Sequence, residues 1–182
     1  MSADRLTRSS QTWALAYASA FANPAAPTAA ELNDREFVHL FSCALTETGT
    51  SLVKAGSDTD DEISFCSVGN ESTPTFKNFT AQFTGWHDAN TGGAGSTVDL
   101  TSLFNKLWCF IAFPDVPFYV ISRTGEQGSQ DTTFVNGQKI KSVGFNTDLS
   151  TDTIESGSTL KVAQNFLFNP SLGFAWNYTL GA

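Results

Sequence analysis

Hydrophobic and polar positions alternate most cleanly between Asn78 and Gly85. Phe79, Ala81, Phe83 and Gly85 are apolar or small, and Asn78, Thr80, Gln82 and Thr84 are polar. A period of two marks a strand with one dry and one wet face. Similar alternation recurs at Val143, Phe145, Thr147 and Leu149, and at Leu160, Val162, Phe166 and Phe168, where Gln164 interrupts it. Phe37 to Leu45 and Ile63 to Val68 are apolar enough for two further strands, and Thr75 to Asp88 holds the strand of the opening pattern. Phe118 to Ile121 is apolar at every position, which predicts a strand buried on both faces. Phe174 to Leu180 follows Pro170 and Gly173 as a last short strand. Asn136-Gly137, set between Thr-Thr-Phe-Val and Gln-Lys-Ile-Lys, predicts a tight hairpin.

One segment breaks this rhythm. Leu100, Leu103, Phe104, Leu107, Trp108 and Ile111 recur at spacings of three and four, so residues 99–112 are predicted as a helix that packs on a sheet. Asp99 is placed to cap it, Cys109 and Phe110 lie at the margin of the apolar face, and Pro114 blocks continuation. Trp13, Leu15 and Tyr17 alternate as in a strand, while Trp13, Tyr17 and Phe21 also fit one helical face. Residues 23–33 carry two prolines and no regular pattern and are expected to be extended. The expected organisation is therefore an N-terminal arm over 1–33 and one domain over 34–182. That domain is mainly β: an antiparallel sandwich or barrel with one flanking helix and long loops. Loops are expected at Gly125 to Asp131, at Asp148 to Ser158, and above all at Thr46 to Asp61, rich in Gly, Ser, Thr and Asp.

Composition narrows the function. Charged residues make up 15% of the 182, and the formal net charge is −8. Nucleic-acid binding draws its affinity from Lys and Arg displacing counterions, so an acidic chain is a poor DNA binder. A surface so weakly ionic and rich in Thr, Ser, Asn and Gly suits self-association. No apolar run of about 18 residues is present, so no helix is expected to span a membrane. Arg5 and Arg8 before an Ala-rich stretch imitate a secretion signal, but the apolar region is short and diluted by Tyr17 and Ser19. Three cysteines make no disulfide framework, and Cys43 with Cys66 is expected to be a reduced, buried pair.

Candidate chemistry is sparse. His87-Asp88 offers two parts of a triad, but nothing marks a nucleophile, and His39 and His87 read as strand-end residues. The acidic run Asp58-Thr-Asp60-Asp61-Glu62 resembles the start of a calcium loop. The sixth position is Ile63 instead of Gly and the twelfth is Gly69 instead of Glu, so no metal site and no cofactor are expected. The three Asn-X-Ser/Thr triplets, at Asn70, Asn78 and Asn177, are matches that a chain of this composition yields by chance. Trp86 falls on the wet face of its strand, where it either marks an interface or is turned inward by twist at Gly85.

Several segments, taken in order, resemble a known family. They are Pro27-Thr-Ala-Ala-Glu-Leu-Asn33, Gly56-Ser-Asp-Thr-Asp-Asp61, Val68-Gly-Asn70, Thr73-Pro-Thr-Phe-Lys-Asn78, Gly85-Trp-His-Asp88 and Pro114-Asp-Val-Pro-Phe-Tyr119. Their order and spacing over residues 27–123 are similar to the tail tube (major tail) proteins of long-tailed, non-contractile phages, in particular those of actinobacterial hosts. The resemblance implies a structural virion protein, not an enzyme. It implies a β-sandwich with a flanking helix, related to the tubes of contractile tails and of type VI secretion. Six copies would form a ring, and stacked rings a tube assembled in the host bacterial cytoplasm. The tube would enclose a tape-measure protein, meet tail terminator and tip proteins, and pass DNA as a passenger. It further implies that residues 46–62 form an assembly loop that orders against the neighbouring ring. Contact candidates are Thr46, Glu47, Lys54, Asp58, Asp60, Asp61, Glu62 and Trp86. The rival expectation is a carbohydrate-binding or fibre-type sandwich that stacks sugars on Trp86 and Trp176.

Overall fold

The structure, a computed structural model, describes residues 11–56, 58–60, 73–86, 102–125, 133–153 and 161–181, with backbone alone for 58–60, 73–76 and 151–153. Eleven strands and two α-helices fill them. In chain order these are β1 Gln11–Tyr17, α1 Ala29–Asn33, β2 Val38–Leu40, β3 Ser51–Lys54, β4 Asp58–Asp60, β5 Thr73–Phe76 and β6 Phe79–Trp86. Then come α2 Leu103–Ile111, β7 Pro117–Thr124, β8 Lys139–Thr147, β9 Thr151–Thr153, β10 Lys161–Phe168 and β11 Phe174–Thr179. Short 3-10 turns cover Ser42–Ala44 and Pro170–Leu172.

Nine strands share one antiparallel sheet, in the order β2-β1-β7-β8-β10-β6-β3, with β11 also on β8 and β9 also on β10. The sheet forks at β8. One edge of β8 pairs with β7, while the other is divided: β11 takes Lys139 to Val143 and β10 takes Phe145 to Thr147. Gly144 lies at the fork, donating its N–H to the Gly173 carbonyl at 3.1 Å and accepting from the Asn169 N–H at 3.0 Å. A Cβ there would lie 2.3 Å from Leu172 Cβ, so the approach requires glycine. Beyond the fork, β10, β6 and β3 fold back over the first leaf. Trp13 of β1 meets Phe83 of β6 at 5.6 Å, and Phe118 of β7 meets Phe166 of β10 at 5.1 Å. The mainly β sandwich expected from the alternation is thus present, made from one folded sheet.

Two cores follow from the period of two. Leu15, Phe118, Val120, Val143 and Phe145 point between the leaves, onto Phe79, Ala81, Phe83 and Phe166. Their neighbours Ala14, Ala16, Tyr119, Ile121 and Ile140 point the other way, under Phe21, Leu32, Phe134 and Leu180. Double coverage explains why residues 118–121 are apolar throughout. Arg123 is buried on the same strand: it donates to Thr133 O at 3.1 Å, Gln138 Oε1 at 3.0 Å and Thr12 Oγ1 at 2.9 Å. Helix α2 closes one end of the sandwich through Leu107, Ile111 and Phe110, the last tilted against Tyr17 and edge-on to His39, Phe41 and Phe118.

Several expectations need correction. Residues 11–17 are a strand inside the sheet, between β2 and β7, so the expected arm over 1–33 holds an integral part of the fold. Within its second half, α1 is defined by a capping box: Thr28 Oγ1 accepts from Glu31 N–H, and the Glu31 carboxylate accepts from Thr28 N–H. Burial would raise the Glu31 pKa, but hydrogen bonds from Ala22, Thr28 N–H and the Thr28 hydroxyl outweigh it and lower the value. The strand expected over Phe37 to Leu45 is short, because Phe41 breaks from extended geometry and leads into the 3-10 turn. Strand β3 occupies the middle of the loop expected at Thr46 to Asp61, and β9 lies inside the one expected after Asp148.

Helix α2 begins at Leu103 with Ser102 as its N-cap; Asp99 lies outside the described residues. Asn136-Gly137 does form a turn, with Gln138 N–H donating to Val135 O at 3.3 Å, but no hairpin. Gly137 has φ 89°, whereas Asn136 is not among the non-glycine residues of positive φ. That is the type II pattern, whose twist splays flanking strands, while the common two-residue hairpin turns need positive φ at the first central residue, here Asn136. Gly137 N–H instead binds Leu180 O at 2.9 Å, tying the turn to the C-terminal segment. Cys43 is exposed, against the expected buried pair; Cys66 and the strand expected at Ile63 to Val68 lie outside the described residues.

Candidate assembly interface

Strands β3 and β6 pair from Ser51↔Gln82 to Lys54↔Phe79, and the pairing does not stop there. Ala55 N–H donates to Asn78 O at 2.9 Å, and β4 then pairs with β5 from Asp58↔Phe76 to Asp60↔Thr73. The four strands are one long hairpin. Its base belongs to the sandwich, and its outer part is a two-stranded sheet that pairs with no other described strand. At ~3.3 Å per residue, Asp60 lies roughly 20 Å along the chain from Lys54. An isolated two-stranded ribbon is marginally stable in water, so such an arm needs a surface to cover it.

The contact candidates fall into two groups. Lys54, Asp58 and Asp60 lie at the Phe79 end of β6 and out along the arm, while Asp61 and Glu62 lie outside the described residues. Thr46, Glu47 and Trp86 lie at the other end of β6, which at eight residues and ~3.4 Å per residue is roughly 24 Å away. No single patch unites the six that are described. Thr46 serves the fold: its N–H donates to Thr84 O at 2.7 Å and its hydroxyl to Thr48 O at 2.8 Å. Glu47 is exposed. Trp86 is 37% exposed, and Lys161 Nζ sits 4.9 Å from its ring centroid. Lys141 Nζ likewise lies 4.8 Å over the ring of Trp176. Each lysine covers a ring face on which a sugar would stack, which weighs against the carbohydrate reading.

Sequence reasoning passed over these lysines, although Lys139, Ile140 and Lys141 show a strand alternation whose polar side is cationic. The path of hydrogen-bonded strands ends at β2 on one side and β3 on the other. Half of Val53, on β3, is exposed. Unpaired strand edges invite pairing with another chain.

The described residues offer little for catalysis. His39 is half-buried among Tyr17, Phe41 and Phe110, and its pKa is lowered by that burial and then by the charges of Lys106 and Arg35. His87 and Asp88 lie outside the described residues. No three His, Cys, Asp or Glu side chains among the described residues converge to hold a metal ion. None of the described helices is long and apolar enough to cross a membrane.

A folded antiparallel sheet, whose end strands and ribbon pair with no further described strand, defines a mainly β-protein. The family is specific: the model of the phage tail tube protein family matches residues 1–172, and the chain belongs to that family. It is a structural component of the virion tail. Among curated proteins, none matches the chain.

Proposed function

We propose that this chain assembles into six-membered rings that stack into the tail tube, the conduit through which DNA leaves the particle. One observation carries the reading: the β4–β5 arm continues the β3–β6 hairpin beyond the sandwich and pairs with no other described strand. In a ring or stack, the arm has a neighbour to cover it and the edges of β2 and β3 have neighbours to pair with. The arm takes the place of the assembly loop expected over 46–62, with Lys54, Asp58, Asp60, Asp61 and Glu62 as its contact residues. Thr46, Glu47 and Trp86 form a separate contact group at the far end of β6. Membership of the tail tube family supports self-assembly and contact with other tail components. Those components are the tape-measure protein inside the tube and the terminator and tip proteins at its ends. Six copies at −8 each give a ring of −48, a field that lets DNA pass without adhering.

The test is to replace residues 57–76 by a two-residue turn that rejoins β3 to β6. The expected product is a folded protein that sediments as a monomer or single ring and never elongates. Tubes of normal length from this variant would show that the arm is not the stacking element.

A further inference from the structure

We propose that the cleft between β3 and the β1–β7–β8 face receives the acidic arm of a second copy of this chain. The inference rests on the tube reading and adds the surface on which the arm sits.

The cleft has a volume of about 200 Å³ and lies among Gln11 and Trp13 of β1, Ser122 and Thr124 of β7, Lys141 of β8, and residues 50–53. Three features suit it to an extended acidic segment. First, β3 pairs with β6 and with no other described strand, and its consecutive residues Ser51, Leu52 and Val53 line the cleft. An incoming strand would therefore meet an edge that no described strand takes, the geometry of strand addition.

Second, among the described residues the one charged side chain on the cleft's lining is a cation, Lys141, in an acidic protein. Lys77 Nζ lies 5.5 Å over Phe174 and Lys141 Nζ 4.8 Å over Trp176. Both rings pack on Phe79, at 4.9 Å and 5.1 Å, and Phe79 is the residue opposite Lys54. Two lysines are thus each held over a ring that packs on Phe79, Lys141 on the cleft's lining and Lys77 outside it. Third, residues 58–62, Asp-Thr-Asp-Asp-Glu, put four carboxylates in five positions, beginning on β4. That run is the complement in charge, and its described part, β4, is extended.

The described strands of the arm lead away from the cleft of their own chain: β4 starts four residues after Lys54 and pairs with β5 in line with β3–β6. A second copy can bring its arm alongside.

Charge reversal tests the pairing. Lys77→Glu with Lys141→Glu, and separately Asp58→Lys with Asp60→Lys, should each raise the concentration needed for tube growth roughly ten-fold or more, with an unchanged far-ultraviolet circular dichroism spectrum. All four changes in one chain should return growth to within about three-fold of the unaltered protein, as coupled partners do in a double-mutant cycle. If the Glu pair unfolds, Lys77→Gln with Lys141→Gln carries the test, with an expected rise of about three-fold. Growth unaffected by the cleft changes, or penalties that add without recovery, would overturn the proposal while leaving the tube reading in place. Duplex DNA bound by the unaltered chain and lost with the cleft changes, at unchanged tube growth, would assign the cleft to DNA instead. Absence of any self-association in the unaltered chain would overturn both readings.

Discussion

Gly144 and His39 show how much single side chains decide in this fold. At Gly144 the chain makes room for Leu172, whose Cβ would stand 2.3 Å from a new Cβ. The nearest atom is next to the backbone, so Gly144→Ala must move the Pro170–Leu172 turn. The expected loss is about 1–3 kcal/mol in urea unfolding, the usual cost of overpacking, and an unchanged midpoint would contradict the fork described above. His39 makes a pH-dependent contribution. Burial first, then the charges of Lys106 and Arg35, hold its pKa below the ordinary 6.5. Between the lowered folded value and 6.5 the unfolded chain binds a proton that the native one does not. Stability is therefore retained above 6.5 and lost as pH falls through the folded value. The unfolding midpoint should drop between about pH 7.5 and about pH 5.5, and less steeply in His39→Gln; parallel profiles would assign the drop to other groups. Neither role is legible in the sequence. Gly144 interrupts no pattern because β8 continues through it, and nothing local to Arg123 announces that a guanidinium is buried between Thr12 and Gln138.

Among the elements, those with a strong period were legible and those made by tertiary contact were not. Strands β6, β7, β8 and β10 and helix α2 were all visible as alternation, as a fully apolar run or as a 3.6-residue repeat. Strand β1 was ambiguous because an aromatic every fourth residue fits a helical face as well as a strand, and pairing with both β2 and β7 settles it. Strand β3 was missed because its four residues Ser51–Lys54 include one buried residue, Leu52; a strand held by a single described neighbour needs no alternation. The acidic run was legible as a run, though the setting of its first residues on a paired ribbon was not. The ribbon carries a prediction at this scale. Because β4 and β5 pair with no other described strand, exchanging residues 57–76 for a turn should alter monomer stability by less than about 1 kcal/mol, with assembly lost. A large destabilisation would mean that the arm packs on its own sandwich.

For the molecule as a whole, the sandwich satisfies its own core and leaves its polar ends for others. Both faces of the β1–β7–β8 leaf are covered, and burial there is complete for Leu15, Phe118, Val120 and Ile121. The strands β2 and β3 at the two ends of the sheet, the ribbon and the lysine-lined cleft lack that closure among the described residues. Family membership identifies a tail tube protein, and the open features match the demands of a polymer better than those of a pocket. The most direct measurement is electron microscopy of the purified protein at high concentration. The account predicts hollow tubes of stacked rings with six-fold symmetry, each subunit's arm lying against a neighbour. Dispersed globular monomers under the same conditions, or rings of another order, would contradict it.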